Sequence, residues 1–506
     1  MLALAVRNTS KLVRERVKDD NVRIGRFFTK RDTAKRMADM LELDDTKTSY
    51  TILDPGAGTG ILSAAVIEAI CKKAPSVKQI FVTCYENDES FIPMLEDNLE
   101  RIRKKCRHDY DVRLYATVLC ENYLTEVKNH YAVTFFDTVE DKFDIIISNP
   151  PTEFTEKGSA EAEGAGGITS VKLSAAYLFA KVASEHLEAD GQLVIILPTT
   201  VAGAPALKSF RRDITSLLSL RKIHLFVGSQ KNPRRAIPLK KNIVLAFKNS
   251  EVKDSVEISA STDDGTPENT KTLSSLPYSF VVSPDDASFT LPRNPEEMRI
   301  VRYISGFPET LSSLGLKMST GLVIDSKCDR ILFDEELPGT IPIIRSSAIR
   351  QGGIHFPAKN TKNQFLMPVE SALFQRNKNM IIIKRVPAKC DERFLNAAMY
   401  FAAQRPQNQY VSTHNKINFI DTKDTKDEMC ARLVFGLFAL LNSTIYDRYL
   451  SIVSKSKQVN AKELRELPLP PRNLIENIGM RLMAGRDVSV TACDRIVNPT
   501  LHITEK

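Results

Sequence analysis

Thr51-Ile52-Leu53-Asp54-Pro55-Gly56-Ala57-Gly58-Thr59-Gly60 runs straight into the apolar-periodic stretch Ile61 to Lys73, reading as a strand, a glycine-rich turn and a helix. Glycine tolerates positive φ and lacks a β-carbon, so such a turn can bring bare backbone against a ligand. A nucleoside cofactor suits this loop, although a plain tight turn or a dinucleotide site gives the same pattern. The next strand, Ile80 to Tyr85, ends in Glu86, where a carboxylate can accept from both hydroxyls of a ribose.

Working outward, helical stretches alternate with short buried strands from residue 22 to about 248. The strands are Thr51 to Leu53, Ile80 to Tyr85, Arg113 to Val118, Phe143 to Ser148, Leu193 to Leu197, Lys222 to Phe226 and Asn242 to Phe247. Helices are expected at Ile61 to Lys73, Ser90 to Cys106 and Ala175 to Leu187, the last stopped by Asp190-Gly191. This alternation predicts an α/β fold, a mainly parallel, doubly wound, Rossmann-like sheet with helices on both faces and an antiparallel hairpin at one edge. Residues 249–290 turn to Ser, Thr, Asp, Glu and Pro without clear periodicity and read as a connector. The expected division is a first domain at 1–248, the connector, and a mixed α+β domain at 291–506, with strands at Ile341 to Arg345 and Met380 to Arg385 and a helix at Cys430 to Ser443.

A chain of 506 residues exceeds what one hydrophobic core serves, in keeping with that division. With 42% hydrophobic and 26% charged residues it has an ordinary globular composition, and no apolar run is long enough to span a bilayer. The amino-terminal apolar stretch stops at Arg7, too early for a signal sequence, so the expected location is the cytoplasm without a membrane partner. The eight cysteines are scattered, with no Cys-x-x-Cys pair and no His at ligand spacing, which predicts free thiols and no metal site. A net charge of +8 permits a nucleic-acid partner without requiring one.

The strand Phe143-Asp144-Ile145-Ile146-Ile147-Ser148 delivers Asn149-Pro150-Pro151 to its carboxyl end, a place that favours chemistry over packing. An exocyclic amine such as adenine N6 is a weak nucleophile because its lone pair is delocalised into the ring. The Asn149 side-chain oxygen and the Pro150 carbonyl can accept its two N–H groups and favour a tetrahedral nitrogen, an electrostatic preorganisation that acts where charge develops. A bare Asn-Pro turn after a core strand is the alternative. Dinucleotide dehydrogenases have no need of such a tripeptide, and methyl transfer to a planar nitrogen does.

With these motifs in this order the chain resembles the gamma-class DNA adenine-N6 methyltransferases of restriction–modification systems, the group that includes the TaqI-like and PstI/BsuBI-like enzymes. The resemblance covers nearly the whole chain. It implies a Rossmann-like domain binding S-adenosylmethionine, a carboxyl-terminal target-recognition domain, double-stranded DNA as substrate and a restriction endonuclease as functional partner, with a monomer or weak dimer sufficing. The stretch Gly25-Arg26-Phe27-Phe28-Thr29-Lys30 matches the segment that closes over the methionine end of the cofactor, with Thr29 as contact. Asp54, Gly56, Gly58 and Gly60 match the cofactor loop, Glu86 the ribose-binding acid, and Asn149, Pro150 and Pro151 the catalytic tripeptide.

Two positions depart from the family pattern. Thr152 stands where an aromatic usually stacks on the extruded base, leaving Phe154 as the stacking candidate. Asn122, before Tyr123-Leu124, stands where an Asp usually accepts from the cofactor's adenine amino group; its carbonyl oxygen can still accept, and Tyr123 can pack on the ring. The Gly-rich run Glu156 to Gly167 reads as a loop by the target base or a loop without a role.

In the second domain, Gly436 to Thr444, Lys457-Gln458-Val459-Asn460 and Leu464 to Pro470 resemble the recognition domain shared with type I specificity subunits. Arg376-Asn377-Lys378, Lys384-Arg385 and Gln407-Asn408-Gln409 are candidate DNA contacts. N4-cytosine methylation, N5-glutamine methylation of a protein, and a DNA-binding protein without turnover remain the rival readings.

Overall fold

The computed structural model describes residues 1–16, 28–125, 142–151, 174–228, 239–262, 270–350, 352–386, 393–424, 426–454 and 458–502. The chain passes from one compact unit to a second between Asn294 and Pro295.

The first unit runs α1 (Leu2–Arg16), α2 (Arg31–Asp39), β1 (Ser49–Pro55), α3 (Ile61–Lys73), β2 (Gln79–Tyr85), α4 (Ile92–Tyr110), β3 (Arg113–Leu119), β4 (Phe143–Ser148), α5 (Ala175–Glu185), β5 (Leu187–Pro198), α6 (Lys208–Leu217), β6 (Ser219–Val227), β7 (Leu239–Lys248), β8 (Ser255–Ser261) and β9 (Thr270–Pro277). The nine strands form one sheet in the order β3-β2-β1-β4-β5-β7-β6-β8-β9. From β3 to β5 all neighbours are parallel, and β7 is antiparallel to both β5 and β6.

The doubly wound expectation therefore holds. From β1 the chain adds β2 and β3 on one side, then returns to add β4 and β5 on the other. Such a reversal leaves a crevice outside the strand ends. β1 and β4 flank it in register, Ile52 opposite Ile145 and Leu53 opposite Ile146, and the Ser148 hydroxyl reaches the Pro55 carbonyl at 3.5 Å. Ile145, Ile146 and Ile147 are all fully buried, as a central strand covered on both faces requires.

Two expectations need correcting. The segment 249–290 is no simple connector: β8 pairs with β6 and β9 with β8, so the β6–β7 hairpin lies inside the sheet instead of at its edge. Val256, Ile258 and Ala260 alternate on the buried face, a period-two signal hidden among serines. The polar side is satisfied by a buried histidine, whose Nδ1 meets Ser259 Oγ at 2.8 Å and whose Nε2 meets Ser261 Oγ at 3.1 Å; this residue, His224, belongs to β6. The second correction concerns Asp190-Gly191, which does not stop α5. That helix has already ended, Leu187 pairs with Phe143, and Asp190 at φ 62° lies within β5, where the register with β4 shifts.

Among the described residues the second unit is built on a six-stranded and a five-stranded sheet, with helices packed against the six-stranded one. Met380–Lys384 and Ile341–Ile344 are strands and Ala431–Asn442 a helix, close to the expected bounds. Among the described residues no helix is long and apolar enough to cross a membrane, and the cysteines are unpaired.

Candidate active site

At the end of β1, Asp54 is fully buried and its Oδ2 accepts from Ser63 at the start of α3, 2.6 Å from Oγ and 3.2 Å from the backbone nitrogen. Its Oδ1 has no partner among the described residues. Burial pushes this carboxyl up to about 7, further than the bonds from Ser63 pull it down.

Between Asp54 and α3 the backbone turns through three positive-φ glycines, Gly56 at 108°, Gly58 at 56° and Gly60 at 79°. A Cβ on Gly60 would stand 2.8 Å from Leu95 Cδ1, so a side chain there requires that leucine to shift. The loop is tied to the next strand by bonds from the Gly56 and Ala57 amides to the Tyr85 carbonyl, 2.9 and 2.8 Å.

Glu86 sits beside that loop, 8% exposed, and its two oxygens are already engaged by backbone: Oε2 accepts from the Gly58 amide at 2.7 Å and Oε1 from the Asp88 amide at 2.9 Å. Each oxygen keeps a second acceptor site, so the carboxylate is aimed by the loop while retaining capacity for a diol.

Of the expected closing segment, Phe28, Thr29 and Lys30 fall among the described residues. The Phe28 ring lies 3.5 Å from where a Gly58 Cβ would stand and packs edge-on against Phe91. Thr29, two residues before α2, receives a 3.0 Å hydrogen bond on Oγ1 from Asn149 Nδ2. The structure thus places the expected cofactor contact against the expected catalytic amide. Asn149 is half-buried and Pro150 buried, with Pro151 exposed. Thr152, Phe154 and the run 156–167 lie outside the described residues.

Asn122 Oδ1 accepts from the Leu124 amide at 3.0 Å, a local turn that occupies one lone pair of the expected adenine acceptor. Tyr123 does not face the crevice as an open stacking surface: it is 3% exposed, packed against Tyr85 and Phe179, with its hydroxyl 2.9 Å from His186 Nδ1.

Sequence reasoning missed the support beneath the loop. Thr9 of α1 bonds Thr59 side chain to side chain at 2.7 Å, and Asn98 of α4 donates to the Thr59 carbonyl at 2.9 Å. Asn8 in turn donates to Asn98 Oδ1 at 2.8 Å. The available signal was weak: polar residues facing inward on helices, and α1 precedes every motif.

In the second unit the family-like stretches hold structure. Gly436 and Gly479 let two helices touch, since a Cβ on Gly436 would lie 2.0 Å from the Ile475 carbonyl oxygen and one on Gly479 1.9 Å from that of Arg432. Asn442 pairs through its amide with both backbone groups of Ala397. Asn377, a candidate DNA contact, instead donates to the carbonyls of Arg405 and Asn408, and Lys378 is buried, whereas Arg376 is exposed.

Residues 70–232 match the family described as Eco57I restriction-modification methylase, a span holding Glu86, Asn122 and Asn149-Pro150-Pro151. Over that span the chain is similar to the restriction–modification methylases. It is 26% identical over 491 residues to the Type II methyltransferase M.PstI of Providencia stuartii, covering 95% of this chain and 93% of that one. To the Type II methyltransferase M.BsuBI of Bacillus subtilis it is 24% identical over 468 residues, 90% of this chain and 89% of the relative. Among solved structures, the Type IIL restriction-modification enzyme MmeI in complex with DNA matches 94% of this chain and 72% of its own, with 11% identity and a TM-score of 0.44.

Proposed function

We propose that the protein is a site-specific DNA methyltransferase that moves a methyl group from S-adenosylmethionine to adenine N6 in double-stranded DNA, protecting host DNA from a partner restriction endonuclease. Both named relatives are Type II methyltransferases matched along nearly their full length. The observation that carries the chemistry is Asn149 at the end of β4, its Nδ2 held by Thr29 and its Oδ1 uncommitted among the described residues.

The residues present fit the cofactor. Glu86 offers a diol two oxygens already aimed by backbone amides. Three positive-φ glycines bare the backbone beside it. Asp54 Oδ1 is a buried acceptor without a partner among the described residues, on the same loop.

When bound, S-adenosylmethionine supplies an electrophilic methyl group on a sulfonium. The chain's part is to position and polarise the nucleophile. Asn149 Oδ1 and the Pro150 carbonyl accept the two N6–H groups, which raises electron density on nitrogen and directs its lone pair out of the ring plane. Such acceptors act most where positive charge develops on the amine, and they need no reorganisation during the reaction.

The test is to incubate the protein with labelled S-adenosylmethionine and unmethylated genomic DNA, then digest to nucleosides. N6-methyladenine is expected. N4-methylcytosine would move the assignment to that amine, and transfer to neither would refute the proposal.

A further inference from the structure

A cavity of about 320 Å³ opens in the second unit. Its floor is one face of two antiparallel strands, Leu316–Thr320 and Ile417–Thr422, on which Lys317 lies opposite Asp421 and Ser319 opposite Phe419. Ala372, Phe374, Gln375 and Arg376 line its wall.

Asp421 is the unusual member. It is 3% exposed, its Oδ2 lies 3.4 Å from Lys378 Nζ and 3.6 Å from Lys317 Nζ, and its Oδ1 has no partner among the described residues. A buried acceptor left open is costly, and a ligand that donates to it recovers that cost.

The surroundings select the donor. Two ammonium groups beside Oδ2 oppose a cationic ligand, and the carboxylate repels an anion, leaving a neutral N–H donor. Phe374, half-buried, gives an apolar wall that a flat ring can use. Arg376 is exposed and Lys317 partly so, placing cations where a phosphate beside that ring would lie.

We propose that this cavity reads a base bearing an exocyclic amino group, cytosine or adenine, at a non-target position of the methylated DNA sequence, with Asp421 Oδ1 as acceptor and Lys317 and Arg376 on adjoining phosphates. The proposal rests on the DNA reading above. In the major groove, thymine presents an oxygen and a methyl group and guanine only acceptors, so either would leave Oδ1 unpaired.

The experiment compares the full-length protein with Asp421→Asn, Arg376→Ala and Lys317→Ala, mapping methylated sites on unmodified genomic DNA and measuring kcat/KM at the cognate site. Asp421→Asn is expected to lose roughly 10- to 100-fold in kcat/KM and to relax discrimination at one non-target base, with S-adenosylmethionine binding unchanged. Each of the other two should keep the sequence read by the wild type while lowering the salt slope of DNA binding by about one phosphate contact. Wild-type sequence preference and turnover in Asp421→Asn would overturn the proposal. If that variant does not fold, unchanged salt slopes in both cation variants would overturn it instead. A wild-type protein that methylates no DNA would remove the reading beneath it, a result distinct from either of these.

Discussion

Asn149 Nδ2 donates to Thr29 Oγ1 across 3.0 Å, joining residues 120 positions apart in the chain. An amide whose nitrogen is held this way presents its oxygen in one direction. Thr29→Val should free the amide to rotate and lower kcat by roughly 10-fold, the worth of about one hydrogen bond. Thr29→Ser should restore most of it. Equal loss in both variants, or a change confined to the KM for the cofactor, would show that Thr29 serves only the cofactor.

Removing the amide itself should cost more. Asn149→Ala is expected to lower kcat by roughly 100-fold or more, as for other donors and acceptors aimed at developing charge. Equilibrium binding of S-adenosylmethionine and of DNA should stay near wild type, because truncating a half-buried side chain leaves no cavity in the core. Single-turnover kinetics would separate the two steps, and normal turnover would end the catalytic assignment.

Glu86 holds the loop and, in our reading, the ribose. Glu86→Ala removes acceptors for the Gly58 and Asp88 amides as well as for the diol. The expected weakening of S-adenosylmethionine binding is roughly 10- to 100-fold, with Glu86→Gln intermediate. Calorimetric titration with the cofactor measures both, and unaltered affinity in Glu86→Ala would place the ribose elsewhere.

Gly60 and Gly58 should respond differently to the same change. Gly60→Ala adds a positive-φ side chain whose Cβ meets Leu95 at 2.8 Å, so chemical denaturation should show a loss of about 1–3 kcal/mol. Gly58→Ala has 3.5 Å to Phe28 and should unfold nearer to wild type while binding cofactor more weakly. The reverse order of stabilities would contradict the packing described for this loop.

The buried Asp54 carboxyl sets a pH dependence. Its folded value is raised to about 7 and an unfolded Asp titrates near about 4, so the folded chain holds the extra proton between them. Stability should fall as pH rises through that window, with the cost fully present above about 7 and absent below about 4. In cofactor-free protein, Asp54→Asn should therefore gain in Tm relative to wild type at pH 8 compared with pH 5. A Tm difference between the two proteins that is the same at both pH values would remove Asp54 as its source.

Much of the site was legible because its signals are local. A strand, a turn that only glycine can make, and a helix must be adjacent in sequence, and so Asp54 to Gly60 announced the loop and β4 announced Asn149. Less legible was β8, whose alternation of Val256, Ile258 and Ala260 was diluted by serines that only His224, more than thirty residues earlier, makes compatible with burial. Tyr123 misled for the same reason: its sequence position suited a cofactor wall, but packing by Tyr85, Phe179 and His186 took it.

By itself the sequence determined the doubly wound architecture, the glycine-rich loop from Asp54 to Gly60, and the strand ends that carry Glu86 and Asn149-Pro150-Pro151, because hydrophobic period and backbone freedom are properties of neighbouring residues. Only the tertiary structure decided that Thr29 holds Asn149, that Thr9 and Asn98 support the loop, and that Asp421 keeps an open acceptor in a cavity. Those relationships depend on which side chains are brought within about 3 Å after the chain has crossed the sheet, and a hydrogen bond is governed by distance and direction in space.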